Sequence, residues 1–186
     1  PAPRRRFKAG ADNAPRFDIR PLLYHLSGAD LTQIDGIGPH AALRLVSEIG
    51  TDMSRWPNEK HFTSWLSLAP NNKISGDRVL SSRTRPSSNR AAGELRMCAM
   101  SVGRTDTALG AFYRRLAYRV GKAKAITATA RKLAVLVYRV LRGDFTYRDE
   151  GAEAYDERHR TRVVHTLTRR AERLGLTLVD NDTGLV

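Results

Sequence analysis

Apolar residues recur along this chain at helical spacing, in blocks separated by Gly, Pro and Ser. In "PHAALRLVSEIG" Ala42, Leu45, Val46 and Ile49 fall at i, i+3, i+4 and i+7, with Pro39 in the first turn and Gly50 at the end, which predicts a helix. "NEKHFTSWLSLAP" predicts a second, with Phe62, Trp65, Leu66 and Leu68 on one side and Pro70 ending it. Helical pattern resumes at about Ser88 with Ala92, Leu95, Cys98 and Ala99 and stops near Gly103. "DTALGAFYRRLAYRVG" sets Leu109, Phe112, Leu116 and Val120 on one face and Arg114, Arg115 and Arg119 on others. "KAITATARKLAVLVYRVLRG" aligns Ile126, Ala130, Leu133, Val137 and Leu141, so the two segments predict a helical hairpin around Gly121. The last element places Tyr155, Val163, Leu167, Ala171 and Leu174 on one face, with Glu153, Asp156 and Glu157 early and arginines late, as the helix dipole favours. Alternation is confined to "KISGDRVLS" and "LTLV", and no internal repeat is present. The expected fold class is mainly α, with a helix-hairpin-helix element, a helical bundle or hairpin, and a long basic C-terminal helix.

Residues 1–28, rich in Pro, Arg, Ala and Gly, read as a basic linker or arm in which "DIRPLLYHL" packs as one turn or two. A helical domain is expected over 29–178, with the helix-hairpin-helix at 30–50, a Ser-rich loop at 69–90 and a tail at 179–186. The chain opens at Pro1 with no initiator Met, as a piece of something longer would.

Charge changes the picture more than hydropathy does. Against 19 Asp+Glu stand 32 Lys+Arg, a net charge of +13, which points to a polyanionic partner, nucleic acid first. Only six of the basic residues are lysines; the planar arginine fork suits bidentate phosphate contacts, although a G+C-rich genome would favour arginine codons as well. Cys98 is the single cysteine, which excludes an internal disulfide and a Cys-cluster zinc site, and its place in "LRMCAM" marks a packed core thiol. No apolar run is long enough to span a bilayer and no signal segment opens the chain, so a cytoplasmic protein with no membrane partner is expected.

Two constellations carry chemistry. In Ile34-Asp35-Gly36-Ile37-Gly38 the glycines allow a tight hairpin and leave backbone N–H groups uncovered at the start of the next helix, a site suited to a DNA phosphate. The pattern resembles a helix-hairpin-helix motif, which grips the sugar-phosphate backbone without reading bases; the plain alternative is a turn that touches nothing. Gly36, Ile37, Gly38 and His40 are the candidate contacts there, although His40 also suits a solvated or capping role. The second is "SLAPNNKISGDRVLSSRTRPSSNR". Serine attack on a phosphodiester needs an exposed hydroxyl, a sharply turned backbone and nearby positive charge. Ser75 is followed by Gly76, and Lys73, Arg78, Arg83, Arg85, Arg90 and Arg96 are candidate phosphate contacts. On local chemistry Ser81, Ser82, Ser87 and Ser88 stay open as alternatives, and a lone Ser-Gly is usually a turn.

Taken in order, "IDGIGPHAALRLVSEIG", "FTSWLSLAP", Ser75-Gly76 and "NRAAGELRMCAM" resemble the C-terminal transposase domain of the insertion-sequence one-ten family, relatives of the pilin-gene DNA invertases and bridge-RNA-guided recombinases. The match is clearest from about Leu31 to Val102, and the later "LGAFYRRLAYRVGKAKAITATARKLAVLVYRVL" also resembles the family's helical tail. The resemblance implies that Ser75 is the nucleophile, joined to DNA as a phosphoserine, with Gly76 as its turn. It also implies a guide RNA, a homo-oligomeric synaptic complex at the nucleoid of a bacterium or archaeon, and magnesium bound by an N-terminal RuvC-like domain. Nothing here resembles that domain, and the carboxylates near the loop, such as Asp77 and Glu94, have no recognisable metal-binding spacing, so no cofactor is expected on this chain and it should bind nucleic acid without recombining it. "RTRPSSNR" departs from the Lys-Gly-Asn form of many relatives, which leaves Arg85, Asn89 and Arg90 less defined. The rival readings are a non-catalytic helix-hairpin-helix module and a basic RNA-binding or assembly domain.

Overall fold

The computed structural model describes residues 15–179 and Gly184; the first fourteen residues of the expected arm and the rest of the expected tail lie outside the described residues. Among the described residues the fold is mainly α, with seven α-helices and one two-stranded sheet.

Local signals start the helices. Asp18 accepts from the Arg20 backbone N–H at 3.1 Å and from its guanidinium at 2.6 Å, and α1 (Arg20–Ser27) follows, closed by Gly28 at φ 68°. Its Leu23, with Ile19, is buried in the main core, so the body begins inside the segment read as an arm. The first helix expected in the 30–50 element is a single 3-10 turn, Leu31–Gln33, fastened by Asp30 to the Thr32 N–H at 3.0 Å and hydroxyl at 2.6 Å. After it comes α2 (Pro39–Ile49), whose Ala42, Leu45 and Ile49 are buried as the spacing predicts. Asn58 caps α3 (Glu59–Trp65), and Asn89 caps α4 (Arg90–Val102) through the Ala92 N–H at 3.0 Å. Thr107 caps α5 (Ala108–Val120), and Gly121 at φ 87° turns the chain into α6 (Lys122–Leu141).

The predicted helical hairpin is therefore α5 and α6, and α6 is the centre of the body, packing on α3, α4 and α5. Its Leu133, Ala134, Val137 and Tyr138 share one core with Phe62, Leu66, Leu95 and Val102. The Tyr138 hydroxyl donates to the Trp56 carbonyl at 2.8 Å, whereas the Thr129 hydroxyl, fully buried on the same helix, finds no partner among the described residues.

The last helix, α7 (Ala152–Glu172), departs from its amphipathic pattern. Tyr155 is buried against α5, but Val163, Leu167 and Leu174 are 40%, 45% and 76% exposed. The reason is length: α5, the helix on which α7 packs, has 13 residues against 21. "LTLV" forms no strand. "KISGDRVLS" does: β1 (Lys73–Ser75) and β2 (Arg78–Ser81) pair antiparallel, so the middle of the Ser-rich loop is a two-stranded ribbon whose main contacts are between its own strands.

Candidate nucleic-acid interface

The two constellations lie at opposite ends of one helix pair. Arg90 at the start of α4 pairs with Glu48 near the end of α2 at 3.3 Å, and Arg44 pairs with Glu94 at 3.0 Å, so the two helices run antiparallel. Gly36 sits against Cys98 and Val102 at the far end of α4. The N-terminus of α2 and the ribbon leading into α4 are thus separated by about the length of an 11-residue helix, ~16 Å at 1.5 Å per residue.

At the first end the two glycines have different tasks. Gly36 has φ 85°, and a Cβ there would stand 2.8 Å from Val102 Cγ2 and 2.9 Å from the Cys98 carbonyl oxygen. It lets the hairpin lie directly on α4. Gly38 has φ −84° and open space around it; it is exposed and precedes α2 with no side-chain cap. The positive-φ argument therefore applies to Gly36 alone, and the open approach to the helix N-terminus belongs to Gly38. Ile37 is buried, so only its backbone can meet a partner, and His40 is half-buried in the first turn of α2. Asp35, also buried, accepts from the Tyr147 hydroxyl at 2.9 Å, which ties the hairpin to the segment after α6.

At the second end Ser75 is the last residue of β1, directly opposite Arg78 of β2. Gly76 and Asp77 form the two-residue connection; Gly76 has φ 56° and Asp77 no positive φ, the requirement of a II′ hairpin turn. Ser75 is exposed and its hydroxyl makes no hydrogen bond among the described residues. Opposed residues of an antiparallel pair project to the same face, so Ser75 and Arg78 share one; Lys73 lies beyond a register shift. Lys73, Arg78, Arg83 and Arg85 are exposed with no ion pair among the described residues, while Arg90 is engaged with Glu48 and Arg96 is half-buried on α4. Among the other serines, Ser81 accepts from the Arg83 N–H at 3.3 Å and Ser87 from the Asn89 N–H at 3.1 Å, which are turn-building roles; Ser82 and Ser88 are unengaged.

Beside β2 opens a groove of about 1430 Å³, walled by α3, α5, α6 and the segment leading into α7. Val79, Leu80, Ser82 and Arg83 of the ribbon side line it, as do Lys60, Lys124, Arg131, Lys132, Arg148 and Arg158. Against its seven Lys and Arg side chains stand three acids: Glu59, paired with Arg139 at 3.6 Å, Glu150, paired with the groove's own Arg158, and Asp149, accepting from the Ala108 N–H at 3.0 Å. The groove is thus a strongly positive channel. Sequence reading missed these six cations, because they come from α3, α6, α7 and the segment before α7 and only the fold gathers them; the signal available was that the basic residues of α6 avoid its apolar face. Cys98 is buried, and desolvation, with the Glu94 carboxylate second, pushes its thiol up to about 12, so it is no nucleophile. Among the described residues no three His, Cys, Asp or Glu side chains come together to hold a metal ion, and no helix is long and apolar enough to cross a membrane.

Residues 28–114, from the end of α1 into α5, match the model of the Transposase IS116/IS110/IS902 family. That segment is a transposase domain of this family. It contains both constellations, and the role it supports is that of a transposase or recombinase acting on DNA. No curated protein matches the chain. Residues 115–186, including the whole α6 wall of the positive groove, lie beyond the matched segment.

Proposed function

We propose that this transposase domain cuts and rejoins DNA through a covalent intermediate on Ser75. The observation that carries the reading is an exposed, unengaged serine hydroxyl at the turn of a basic ribbon, within the segment that matches the family. In the step, Ser75 Oγ bonds to phosphorus, the bond from phosphorus to the leaving sugar oxygen breaks, the serine proton passes to a base, and the leaving oxygen takes up a proton. Attack on the phosphoserine by the hydroxyl of another strand reverses these changes. Gly76 leaves room for the phosphate, and Arg78, with Lys73, Arg83 and Arg85, offsets its charge. Among the described residues no carboxylate or imidazole hydrogen-bonds to Ser75. The base and the magnesium belong in this account to the RuvC-like domain that the resemblance implies, and no step is assigned to metal on this chain. Gly38, the backbone of Ile37 and His40 hold a second phosphate at the α2 N-terminus, and guide RNA and further copies of the protein complete a synaptic complex at the nucleoid.

The lack of a base beside Ser75 favours one rival, a non-catalytic nucleic-acid-binding module. Ser75→Ala separates the two in a strand-transfer assay supplied with magnesium, guide RNA and the RuvC-like domain. The proposal expects unchanged DNA affinity and no strand transfer; transfer at the parent's rate by Ser75→Ala, or its loss in Ser82→Ala instead, contradicts it.

A further inference from the structure

The junction of α5, α6 and α7 concentrates positive charge that carboxylates do not offset. Arg115 of α5 lies over the Tyr155 ring of α7, its guanidinium carbon 4.7 Å from the centroid, and donates to the Tyr155 hydroxyl. Its Nη1 is buried and has no hydrogen-bond partner. A buried guanidinium N–H left unmet is costly, so native proteins rarely keep one without an occupant. Lys132 of α6 stands 4.3 Å above the Phe112 ring and 5.9 Å from the Tyr155 centroid, with no ion pair among the described residues. Two cations therefore share one tyrosine. Desolvation, and then the charges of Arg115, Arg158 and Arg162, push the Lys132 ammonium below its ordinary value. Of these cations only Arg158 has a carboxylate, Glu150. Phe112, Lys132, Tyr155 and Arg158 line the groove, and Arg115 stands behind this wall, in contact with Tyr155.

We infer that this junction is a phosphate-binding site, in which a backbone phosphate of nucleic acid lying in the groove accepts from Lys132, with Arg115, Arg158 and Arg162 adding charge from around it. The site falls outside the segment that matches the family and does not involve Ser75. Its assignment to nucleic acid, rather than to free phosphate, rests on the reading of the chain as a DNA-acting transposase domain.

Thermal unfolding of the full chain in sodium phosphate and in sodium chloride at equal ionic strength tests the site alone. Phosphate should raise the parent's midpoint above its chloride value. In chloride Lys132→Gln should unfold no lower than the parent, because it removes a repelled charge, and in phosphate it should show no extra stabilisation. Lys122→Gln, an exposed lysine at the start of α6, should keep the parent's phosphate response. No phosphate shift in the parent, or an equal shift in Lys132→Gln, overturns the site. In a second arm the salt dependence of duplex-oligonucleotide binding is compared between parent and Lys132→Gln. The log–log slope should fall by about 0.9 for one lost backbone phosphate. An unchanged slope with the phosphate response lost overturns the nucleic-acid assignment and leaves a site for free phosphate. Neither arm depends on Ser75, so failure of the nucleophile proposal leaves this one standing.

Discussion

Gly36→Ala and Gly38→Ala, two residues apart in one hairpin, should have opposite signatures. At Gly36 an alanine meets two obstacles. The backbone is at φ 85°, where a Cβ costs about 1–2 kcal/mol. The added carbon would also stand 2.8 Å from Val102 Cγ2 and 2.9 Å from the Cys98 carbonyl oxygen. The first neighbour is a core side chain with no exposure and the second is helix backbone, so neither yields freely, and overpacking of this kind costs about 1–3 kcal/mol. The combined loss is about 2–5 kcal/mol, which in a chain of this size lowers the unfolding midpoint by about 10 °C. At Gly38 φ is −84° and no heavy atom lies within 4 Å of the new carbon, so stability should change by no more than about 0.5 kcal/mol. Binding reverses the order: Gly38→Ala screens the α2 N-terminus and should weaken duplexes of unrelated sequence alike, because a backbone phosphate is the ligand. Urea unfolding followed by circular dichroism gives the first comparison and fluorescence anisotropy the second. A Gly36→Ala variant as stable as the parent would refute the close packing of hairpin on α4, and a sequence-selective loss in Gly38→Ala would refute backbone contact.

Other expectations follow from single contacts. Asn89→Ala removes the cap at the junction of ribbon and α4 and should cost about 1 kcal/mol in urea unfolding, whereas Asn89→Asp keeps the acceptor. Tyr138→Phe strands the Trp56 carbonyl and removes the hydroxyl that Arg142 donates to, and should cost about 1–3 kcal/mol by the same measurement. Cys98 should resist alkylation in the folded chain and react on unfolding. Its thiol is held up to about 12 in the folded state against an ordinary 9.0, so the unfolded chain gives up its proton first, and stability should decline as pH climbs from about 9 toward 12. A Cys98→Ala variant should lose that part of the decline.

Local periodicity carried the helices well. The faces of α2, α4 and α6 follow from apolar spacing alone, since each is packed along its whole length and Ala42, Leu95 and Val137 are buried where the period places them. On α7 the same spacing misleads, because a period reports a face but not the length of the neighbour that covers it. The 3-10 turn at Leu31–Gln33 escaped for a related reason: three residues are too few to show a period, and the Asp30 cap that fixes it also suits an α-helix. Gly36 was legible as a turn, yet its decisive contact is with Cys98 and Val102, some sixty positions away in sequence. The ribbon was visible only as weak alternation in "KISGDRVLS", with Ile74, Val79 and Leu80 all exposed and no core to enforce a pattern. The Arg115, Lys132 and Tyr155 junction left no mark on the sequence, since three helices must pack before the charges meet.

The most direct test is for a covalent bond between Ser75 and DNA. The protein and its Ser75→Ala variant would each be incubated with magnesium, guide RNA, the RuvC-like domain and end-labelled DNA, then denatured and separated by electrophoresis. Peptides from any slow-migrating species would be mapped by mass spectrometry. The account predicts an adduct in the parent, a nucleotide remnant on the peptide containing Ser75, and no adduct in the variant. An adduct that survives Ser75→Ala, or strand transfer that proceeds with no adduct at all, would contradict it and leave the ribbon as a DNA-binding element.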